Sequence, residues 1–297
     1  MSGKVRKAVI PVAGLGTRGL PFTKEVPKEM MPIIDIPTIQ FIVEEVLAAG
    51  IEQVIFVTSK GKSALEDFFD PSPNLENWLR KRGKEDLAEK IHRIGSMCEV
   101  MSVRQKQPLG LGHAIACARP MIGNDRFAVC LGDEIFPPWD SNNQKQAALS
   151  SLVKAAEEVS GSVVGTVEID LKDSGKYGVL DLGGAVPGDK PVKVLGTVEK
   201  PKPEEAPSPY AIIGRYVFEP ELFECLDQVT PGAGGEIQLT DGMAKLAKAG
   251  KMHALRITGC RYDIGNQFFF VKAQIDEALR RPELAPKIKA YIQSLCS

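Results

Sequence analysis

The chain has 297 residues, 43% of them hydrophobic and 25% charged, so it is long enough for one large domain or two small ones. Lysine and arginine number 37 against 38 acidic residues, a formal net charge of −1 that excludes an overall attraction to nucleic acid or to an anionic membrane. No apolar stretch approaches the roughly 20 residues needed to span a bilayer, and glycines and Arg18 interrupt the start of the chain where a signal peptide needs an apolar core. We therefore expect a cytoplasmic protein.

The first predicted strand runs from Ala8 to Ala13 and leads into a glycine-rich segment, Gly14 to Gly19. Glycines let the backbone turn tightly there, and successive backbone N–H groups in such a turn can converge on an anion. Arg18, Lys24 and Lys28 add positive charge nearby. We interpret the segment as a phosphate-binding loop, and its candidate substrate contacts include Gly14, Gly16 and Thr17.

The same loop also matches G-x-G-x-x-G, the fingerprint of dinucleotide-binding proteins. That fingerprint needs a helix to begin at the third glycine, but Pro21, Pro27 and Pro32 follow it, and a proline disfavours helix at the residue before it. A NAD-dependent oxidoreductase therefore remains only the last of the alternatives. A Walker A loop is excluded because no G-K-[ST] closes the segment.

The next part of the chain completes a parallel strand, loop, helix, strand unit. Hydrophobic spacing and turn residues predict, in order, a helix at Thr38–Ala49, a strand at Gln53–Thr58, helices at Lys62–Phe69 and Asn74–Ile91, a strand at Val100–Gln105, a glycine-bearing turn at Pro108–His113 and a strand at Phe127–Leu131.

The second half is β-rich at first and then helical. The predicted elements are a helix at Gln144–Val159, strands at Ser162–Ile169, Tyr177–Leu182, Val192–Val198 and Ala211–Phe218, helices at Glu219–Gln228, Ile237–Ala249 and Gln267–Leu279, and a strand at Met252–Ile257. We find neither an internal repeat nor a linker, so the pattern predicts one α/β domain with a mixed central sheet and a helical C-terminal end.

Two aspartates follow predicted strands. Ligands of open parallel sheets collect beyond the carboxyl ends of the strands, and Asp133 comes directly after the buried strand that ends at Leu131. Asp263 follows the strand that ends near Thr258. Mg²⁺ keeps several waters and takes only one or two carboxylates, so these two would suffice, although a turn or capping role fits Asp133 equally well.

The triplet Glu199-Lys200-Pro201 ends another β-rich segment. Lys200 could neutralise a phosphate, and Glu199 could accept hydrogen bonds from sugar hydroxyls, but a surface turn is the more usual context of such a triplet. The three histidines are too far apart in the sequence to suggest a zinc site, and we assign none of them chemistry.

Together these motifs resemble the sugar-nucleotide pyrophosphorylases, and among them most closely the bacterial UTP:glucose-1-phosphate uridylyltransferases. The matching motifs cover nearly the whole chain in family order: AVIPVAGLGTR (8–18), PKEM (27–30), VRQ (103–105), PLGLGHA (108–114), YGV (177–179), VEKP (198–201), AIIGRYV (211–217), PGAGGEIQLTD (231–241) and YDIGN (262–266). Two positions depart from the pattern: Gly19 replaces a larger apolar residue, and Glu134 follows Asp133 at a variable position.

The resemblance implies a Rossmann-like nucleotidyltransferase fold, with a mixed, mainly parallel central sheet flanked by helices, a small β-rich sugar-binding part and a helical C-terminus. It implies one domain over residues 1–297, with a catalytic core of about 5–267 and a C-terminal helical segment at 268–297. The implied assembly is a homodimer or homotetramer.

The implied reaction is Mg²⁺-dependent, and it converts UTP and glucose 1-phosphate into UDP-glucose and pyrophosphate. By family position, Ala13, Gly14, Glu29, Gln105 and Gly110 contact uracil and ribose, Arg18 and Lys28 contact the triphosphate, Asp133 and Asp263 bind Mg²⁺, and Gly178, Glu199 and Lys200 contact the sugar phosphate. The expected catalytic residues are Arg18, Lys28, Asp133, Lys200 and Asp263. The alternatives are a thymidylyltransferase or another specificity of the same class, and a non-catalytic, ligand-sensing relative.

Overall fold

Buried strands that alternate with amphipathic helices build the molecule. The computed structural model describes residues 4–138, 147–232 and 235–295. Its strands are β1 (Lys7–Pro11), β2 (Pro32–Ile33), β3 (Ile36–Pro37), β4 (Gln53–Thr58), β5 (Glu99–Arg104), β6 (Phe127–Cys130), β7 (Glu134–Ile135), β8 (Ser162–Glu168), β9 (Gly178–Asp181), β10 (Val192–Lys193), β11 (Gly196–Glu199), β12 (Tyr210–Phe218), β13 (Met252–Arg256) and β14 (Tyr262–Asp263).

The α-helices are distributed along the whole chain. They are α1 (Thr38–Ala48), α2 (Ala64–Asp67), α3 (Pro73–Arg80), α4 (Glu85–Ser96), α5 (Leu111–Cys117), α6 (Arg119–Ile122), α7 (Ala148–Glu158), α8 (Glu221–Asp227), α9 (Leu239–Lys248), α10 (Gln267–Arg280) and α11 (Ala285–Leu295). The predicted helix at Gln144–Val159 is thus present from Ala148, and its first three residues lie outside the described part of the chain.

Ten of the described strands form one sheet in the order β10, β13, β8, β12, β6, β1, β4, β5, with β9 and β11 attached at β12. The stretch from β6 to β5 is wholly parallel, and β13 also runs parallel to β8. β12 runs antiparallel to both of its neighbours, β6 and β8. This arrangement confirms the predicted α/β class with a mixed, mainly parallel central sheet.

Helices cover both faces of the sheet, because successive side chains of a strand point to opposite sides. In β1, Ala8 and Ile10 pack into a core layer with α1 and α7, whereas Val9 packs into the opposite layer with α5, α8 and α9. Strands buried on both faces read as continuous apolar runs, which is why the central strands were predictable from sequence.

Two predicted elements are wrong in detail. The single helix predicted at Asn74–Ile91 is two helices, α3 and α4, which break near Gly83, where φ is +71° and the backbone leaves the helical region. The strand predicted at Val192–Val198 is also two strands, since β10 pairs with β13 whereas β11 pairs with β9.

Helix α10 covers the short strand β14. Its Ala273 packs with Ile33, Tyr262 and Ile264 in a small apolar cluster separate from the two main layers. This contact fixes the segment that carries Asp263. Among the described residues, none of the helices is long and apolar enough to cross a membrane.

Candidate active site

A cleft of about 330 Å³ opens at the carboxyl ends of β1, β5 and β6. This is the edge at which parallel sheets collect ligands, and the chain reaches it three times through the loops that follow these strands. The cleft is lined by Pro11, Ala13, Gly14, Leu15, Lys28, Glu29, Gln105, Pro108, Gly110, Leu111, Ala114, Leu131, Gly132, Asp133 and Glu236.

All five residues that the sequence placed on the uracil and ribose side line this cleft. They are Ala13, Gly14, Glu29, Gln105 and Gly110. The structure thus brings together residues of the two loops that follow β1 and β5, with Ala13 and Gly110 97 positions apart in sequence, as expected for strands that end at one edge of a sheet.

A second cavity, of about 260 Å³, adjoins the first through Lys28, which lines both. Gly16, Thr17 and Arg18 form one wall of it, and Gly265 lies in another. The glycine-rich loop therefore lines both cavities, with Gly14 and Leu15 in the larger one and Gly16 to Gly19 in the smaller one.

The loop contains no α-helix, as its prolines predicted. Short 3₁₀ turns at Thr17–Gly19, Phe22–Lys24 and Lys28–Met30 lead instead to β2. Thr23 closes the loop by donating its hydroxyl hydrogen to the carbonyl oxygen of Gly16, at 2.7 Å. A Cβ atom on Gly19 would lie 2.6 Å from Thr23 Cγ2, so a larger residue here would require the Thr23 side chain to shift.

Asp133 forms ion pairs with cations that line the two cavities. Its Oδ2 atom accepts hydrogen bonds from Lys28 Nζ at 2.8 Å and from Arg18 Nη2 at 3.1 Å. Burial disfavours the ionised carboxylate, but Lys28 and Arg18 outweigh this effect, and the pKa of Asp133 lies below its usual value. Asp133 is therefore an anion under ordinary conditions.

Asp263 approaches the same arginine from the other end of the chain. Its Oδ2 atom lies 3.7 Å from Arg18 Nη1, and its Oδ1 atom accepts the backbone N–H of Gly265 at 2.9 Å. A Cβ atom on Gly265 would lie 2.6 Å from Arg18 Cζ, so this glycine leaves the space that the guanidinium fills. Asp263 lies within β14, a short strand that pairs with β7 and that the sequence did not predict.

The two aspartates suit a hard divalent cation. Carboxylate oxygens are ligands that Mg²⁺ prefers, and this ion takes only one or two of them when substrate phosphates supply the rest. In the described ranges, 4–138, 147–232 and 235–295, no group of three or more histidine, cysteine or acidic side chains could bind a metal ion by itself. The pair therefore fits a metal that is bound jointly with a phosphate chain.

A buried ion pair positions Asp133, and sequence reasoning missed it. The guanidinium of Arg215, which is fully buried, donates to Glu45 Oε2 at 2.7 Å and to the backbone carbonyl of Glu134 at 2.8 Å. It thereby ties α1 to the turn that carries Asp133. A charged residue in the middle of the apolar strand AIIGRYV was the available signal, because a buried charge requires a partner.

The sugar-side residues lie on β9, on β11 and directly after β11, and they line neither of the two cavities. Gly178 is paired in register with Glu199, whose Oε2 atom accepts a hydrogen bond from Thr240 Oγ1 at 3.1 Å. Lys200 Nζ lies 3.3 Å from Glu199 Oε1, and the Lys200 backbone has a φ of +47°, in the left-handed region that L residues rarely adopt. Such a backbone conformation often marks a functional position.

Arg261 connects the sugar-side residues with Glu134, the neighbour of Asp133. Arg261 Nη1 lies 3.2 Å from Glu134 Oε2, and its Nη2 atom lies 3.4 Å from the Tyr177 hydroxyl, next to Gly178. Glu134, a position that varies in the family the sequence resembles, thus has a structural partner in this chain. Arg261 was a second residue that the sequence did not single out.

Glu29 is fully buried in the wall of the cleft and pairs with Lys62, whose Nζ atom lies 3.1 Å from Glu29 Oε2. The other carboxylate oxygen, Oε1, finds no hydrogen-bond partner within the described residues. Burial raises the pKa of Glu29 and lowers the pKa of Lys62, while the mutual attraction of the two groups opposes both shifts.

Replacing Lys62 with methionine is expected to destabilise the protein in a pH-dependent way. The Glu29 carboxylate would remain buried without its cation, so its pKa would rise further and the folded state would bind a proton that the unfolded chain releases. The stability is then retained below the usual pKa of glutamate and lost as the pH rises above it, by roughly 3 kcal/mol at neutral pH.

Thermal unfolding of the variant and of the native protein, from about pH 5 to about pH 8, measures this effect. Lys60→Met is the matched control, because Lys60 is exposed and lies two residues away. Parallel stability profiles for the native protein and the Lys62→Met variant would contradict the prediction.

Comparison with known proteins shows which enzyme family the chain belongs to. Residues 7–278 match the family model described as nucleotidyl transferase. The chain belongs to this family of enzymes, which confirms the fold predicted from the sequence motifs.

Individual relatives are more specific. A UTP–glucose-1-phosphate uridylyltransferase of Staphylococcus epidermidis is 46% identical over 292 residues, which cover 98% of this chain and 99% of the relative. The UTP-bound UGPase from Acinetobacter baumannii superposes with a TM-score of 0.89 at 37% identity, covering 98% of this chain and 99% of that one. A UDP-glucose pyrophosphorylase complexed with UDP-glucose superposes with a TM-score of 0.81 at 38% identity, covering 93% and 100%.

Proposed function

We propose that this chain transfers the uridylyl group of UTP to glucose 1-phosphate, which yields UDP-glucose and pyrophosphate. The observation that carries the proposal is the cleft at the carboxyl ends of β1, β5 and β6, where two cations meet a carboxylate beside the residues expected to contact the base. The Staphylococcus epidermidis relative is named for this reaction, and solved neighbours carry UTP or UDP-glucose.

The nucleotide base and ribose occupy the larger cleft in this proposal, and the triphosphate extends along the glycine-rich loop toward Arg18 and Lys28. In the structure both cations are paired with Asp133. A triphosphate offers them more negative charge than one carboxylate does, so they exchange partners when UTP binds. That exchange prepares them to stabilise the pyrophosphate as it leaves.

A divalent metal, which we propose to be Mg²⁺, is bound by Asp133 and Asp263 together with the phosphates. When bound it neutralises phosphate charge, as metal ions do in most phosphoryl-transfer enzymes. The exchange of Arg18 and Lys28 from Asp133 to the triphosphate leaves the carboxylate oxygens available for this role.

On the sugar side, Glu199 accepts hydrogen bonds from glucose hydroxyls and Lys200 neutralises the attacking phosphate. Gly178 keeps this wall open, since a Cβ atom there would lie 2.8 Å from Thr240 Cγ2 and 3.2 Å from Glu199 Oε2.

A phosphate oxygen of glucose 1-phosphate attacks the α-phosphorus of UTP, a new P–O bond forms, and the bond from the α-phosphorus to the bridging oxygen breaks as pyrophosphate leaves. No general base is needed because the phosphate is already ionised at neutral pH, so the protein contributes positioning and charge neutralisation.

Five predictions from the sequence stay predictions. They are the roles of the individual site residues, Mg²⁺ as the metal, a single nucleotidyltransferase domain over 1–297 with its core at about 5–267, a homodimeric or homotetrameric assembly, and a cytoplasmic location.

Pyrophosphate release measured with paired nucleotides and sugar phosphates tests the proposed function. We expect the highest kcat/KM with UTP and glucose 1-phosphate, and activity that is lost when divalent metal is chelated. A higher value with dTTP would make the chain a thymidylyltransferase, and release with no pair would favour a non-catalytic ligand-sensing protein. Binding of a nicotinamide nucleotide would revive the oxidoreductase interpretation.

Replacing Lys200 with alanine is expected to raise the KM for glucose 1-phosphate and to lower kcat by a factor on the order of 10², because the attacking phosphate loses its cation. UTP binding, measured by calorimetry, should change little. Lys202→Ala is the matched control, since that lysine is 71% exposed and lies two residues further on. Unchanged steady-state kinetics in Lys200→Ala would overturn the assignment.

A further inference from the structure

The side chain of Gln105 lies in the wall of the larger cleft and has two hydrogen-bond partners from the following loop and helix. Its amide nitrogen Nε2 donates to the backbone carbonyl oxygen of Gly110 at 3.0 Å. The same nitrogen lies 3.0 Å from Nδ1 of His113, on α5. Sequence reasoning assigned no chemistry to this histidine.

These two contacts fix the orientation of the amide. A backbone carbonyl can only accept a hydrogen bond, so the group that faces Gly110 must be the NH₂ of Gln105. The second amide hydrogen then points to His113, whose Nδ1 must be the unprotonated nitrogen. The ring proton is on Nε2, which faces the Cys117 sulfur at 4.0 Å, and burial raises the pKa of that thiol and keeps it neutral.

One group of the amide remains for a ligand. Because both hydrogens of the NH₂ are engaged, only the carbonyl oxygen Oε1 is available to the cleft, and it can only accept a hydrogen bond. Uracil and thymine carry a hydrogen on N3, whereas N3 of cytosine carries a lone pair. An acceptor that is placed against N3 and cannot exchange for a donor therefore favours the first two bases over the third.

We propose that His113 is a positioning residue that fixes the Gln105 amide with its oxygen toward the base, and that it thereby sets the preference for uracil-type bases over cytosine. The inference rests on the proposed function, because it takes the larger cleft as the site of the base. His113, which does not line the larger cleft, would act on the base only through Gln105.

The other partner of the amide is fixed without His113. Gly110 has a φ of +92°, and a Cβ atom there would lie 2.8 Å from the carbonyl oxygen of Ile237. The neighbouring Gly112 donates its backbone N–H to the same oxygen at 2.9 Å, and Ile237 N donates to Leu109 O at 2.8 Å. Loss of the His113 contact should therefore release the amide from one of two hydrogen bonds and leave the cleft in place.

Two substitutions separate the hydrogen bond from the bulk of the ring. His113→Phe keeps a ring but removes the acceptor, whereas His113→Asn keeps an acceptor near the position of Nδ1. We expect His113→Phe to lower the ratio of kcat/KM for UTP over CTP by about threefold to tenfold, the effect of one neutral hydrogen bond. His113→Asn should restore most of the native ratio.

The ratio for UTP over dTTP is the internal control, since both bases carry the N3 hydrogen and should respond alike. The KM for glucose 1-phosphate should also stay the same in both variants. A UTP over CTP ratio that is unchanged in a folded His113→Phe protein, or that falls equally in His113→Asn, would overturn the proposal.

The tautomer can be measured in the native protein, without any variant. The chain has three histidines, so ¹⁵N spectra of histidine-labelled protein contain few ring signals. We expect His113 to carry its proton on Nε2, and a proton on Nδ1 would contradict the inference. If the native protein failed to form UDP-glucose, the proposed function would fall, while this spectrum and the binding of UTP and CTP would still decide the orientation of the amide.

Discussion

Replacing Asp133 with asparagine is expected to lower kcat for UTP and glucose 1-phosphate by a factor on the order of 10² or more, even at saturating Mg²⁺. Asp133 is the one group that contacts both Lys28 and Arg18 within the described residues, and it is proposed to bind the metal. An amide has nearly the same shape but no charge, so the metal would lose an anionic ligand. Steady-state pyrophosphate release measures the effect.

The same substitution at an exposed site is the control. Asp125 also pairs with a lysine, Lys7, at 2.7 Å, but its side chain is 64% exposed and lies away from both cavities. Asp125→Asn should retain native kinetics. If Asp133→Asn also retained a near-native kcat, Asp133 would be a structural residue and the proposed metal site would be wrong.

Replacing Arg215 with methionine is expected to lower the free energy of unfolding by about 3–5 kcal/mol. The change leaves the largely buried Glu45 carboxylate without its cation, and it removes the donor that Arg215 provides to the backbone carbonyl of Glu134. Urea unfolding measures the loss. Because Arg215 also positions the turn of Asp133, the remaining folded protein should have a reduced kcat.

Two comparisons make this prediction specific. Arg256→Met breaks a salt bridge with Glu168 at 3.1 Å that is largely exposed, and it should change stability by no more than about 1 kcal/mol. The double variant Glu45→Leu with Arg215→Met removes both charges, and it should recover part of the stability. A loss in Arg215→Met no larger than in Arg256→Met would show that the buried pair contributes little.

The sequence predicted the strands around the site well because their patterns are local. A parallel strand buried on both faces is a continuous apolar run, so β1, β4 and β6 were found within two residues of their bounds. The rule that ligands collect at the carboxyl ends then placed the glycine-rich loop, Gln105 and Asp133 at one edge, and all three line the larger cleft.

What the sequence did not predict depends on partners distant in the chain. Periodicity reports which face of an element is buried, but it does not report which residue meets a buried charge. Arg215 pairs with a residue 170 positions away, and Lys62 with one 33 positions away, so neither pairing was visible. The strands β7 and β14 were missed for a different reason: each has only two residues, which is too short to show an alternating pattern.

The central claim is that a phosphate oxygen of glucose 1-phosphate attacks the α-phosphorus of UTP. The most direct test uses glucose 1-phosphate labelled with ¹⁸O in its phosphate group, native protein, UTP and Mg²⁺, with the products followed by ³¹P NMR. We predict that UDP-glucose and pyrophosphate form in equal amounts, and that all the label stays in the sugar-linked phosphate of UDP-glucose. Label in the pyrophosphate, or formation of UMP in place of UDP-glucose, would contradict the claim.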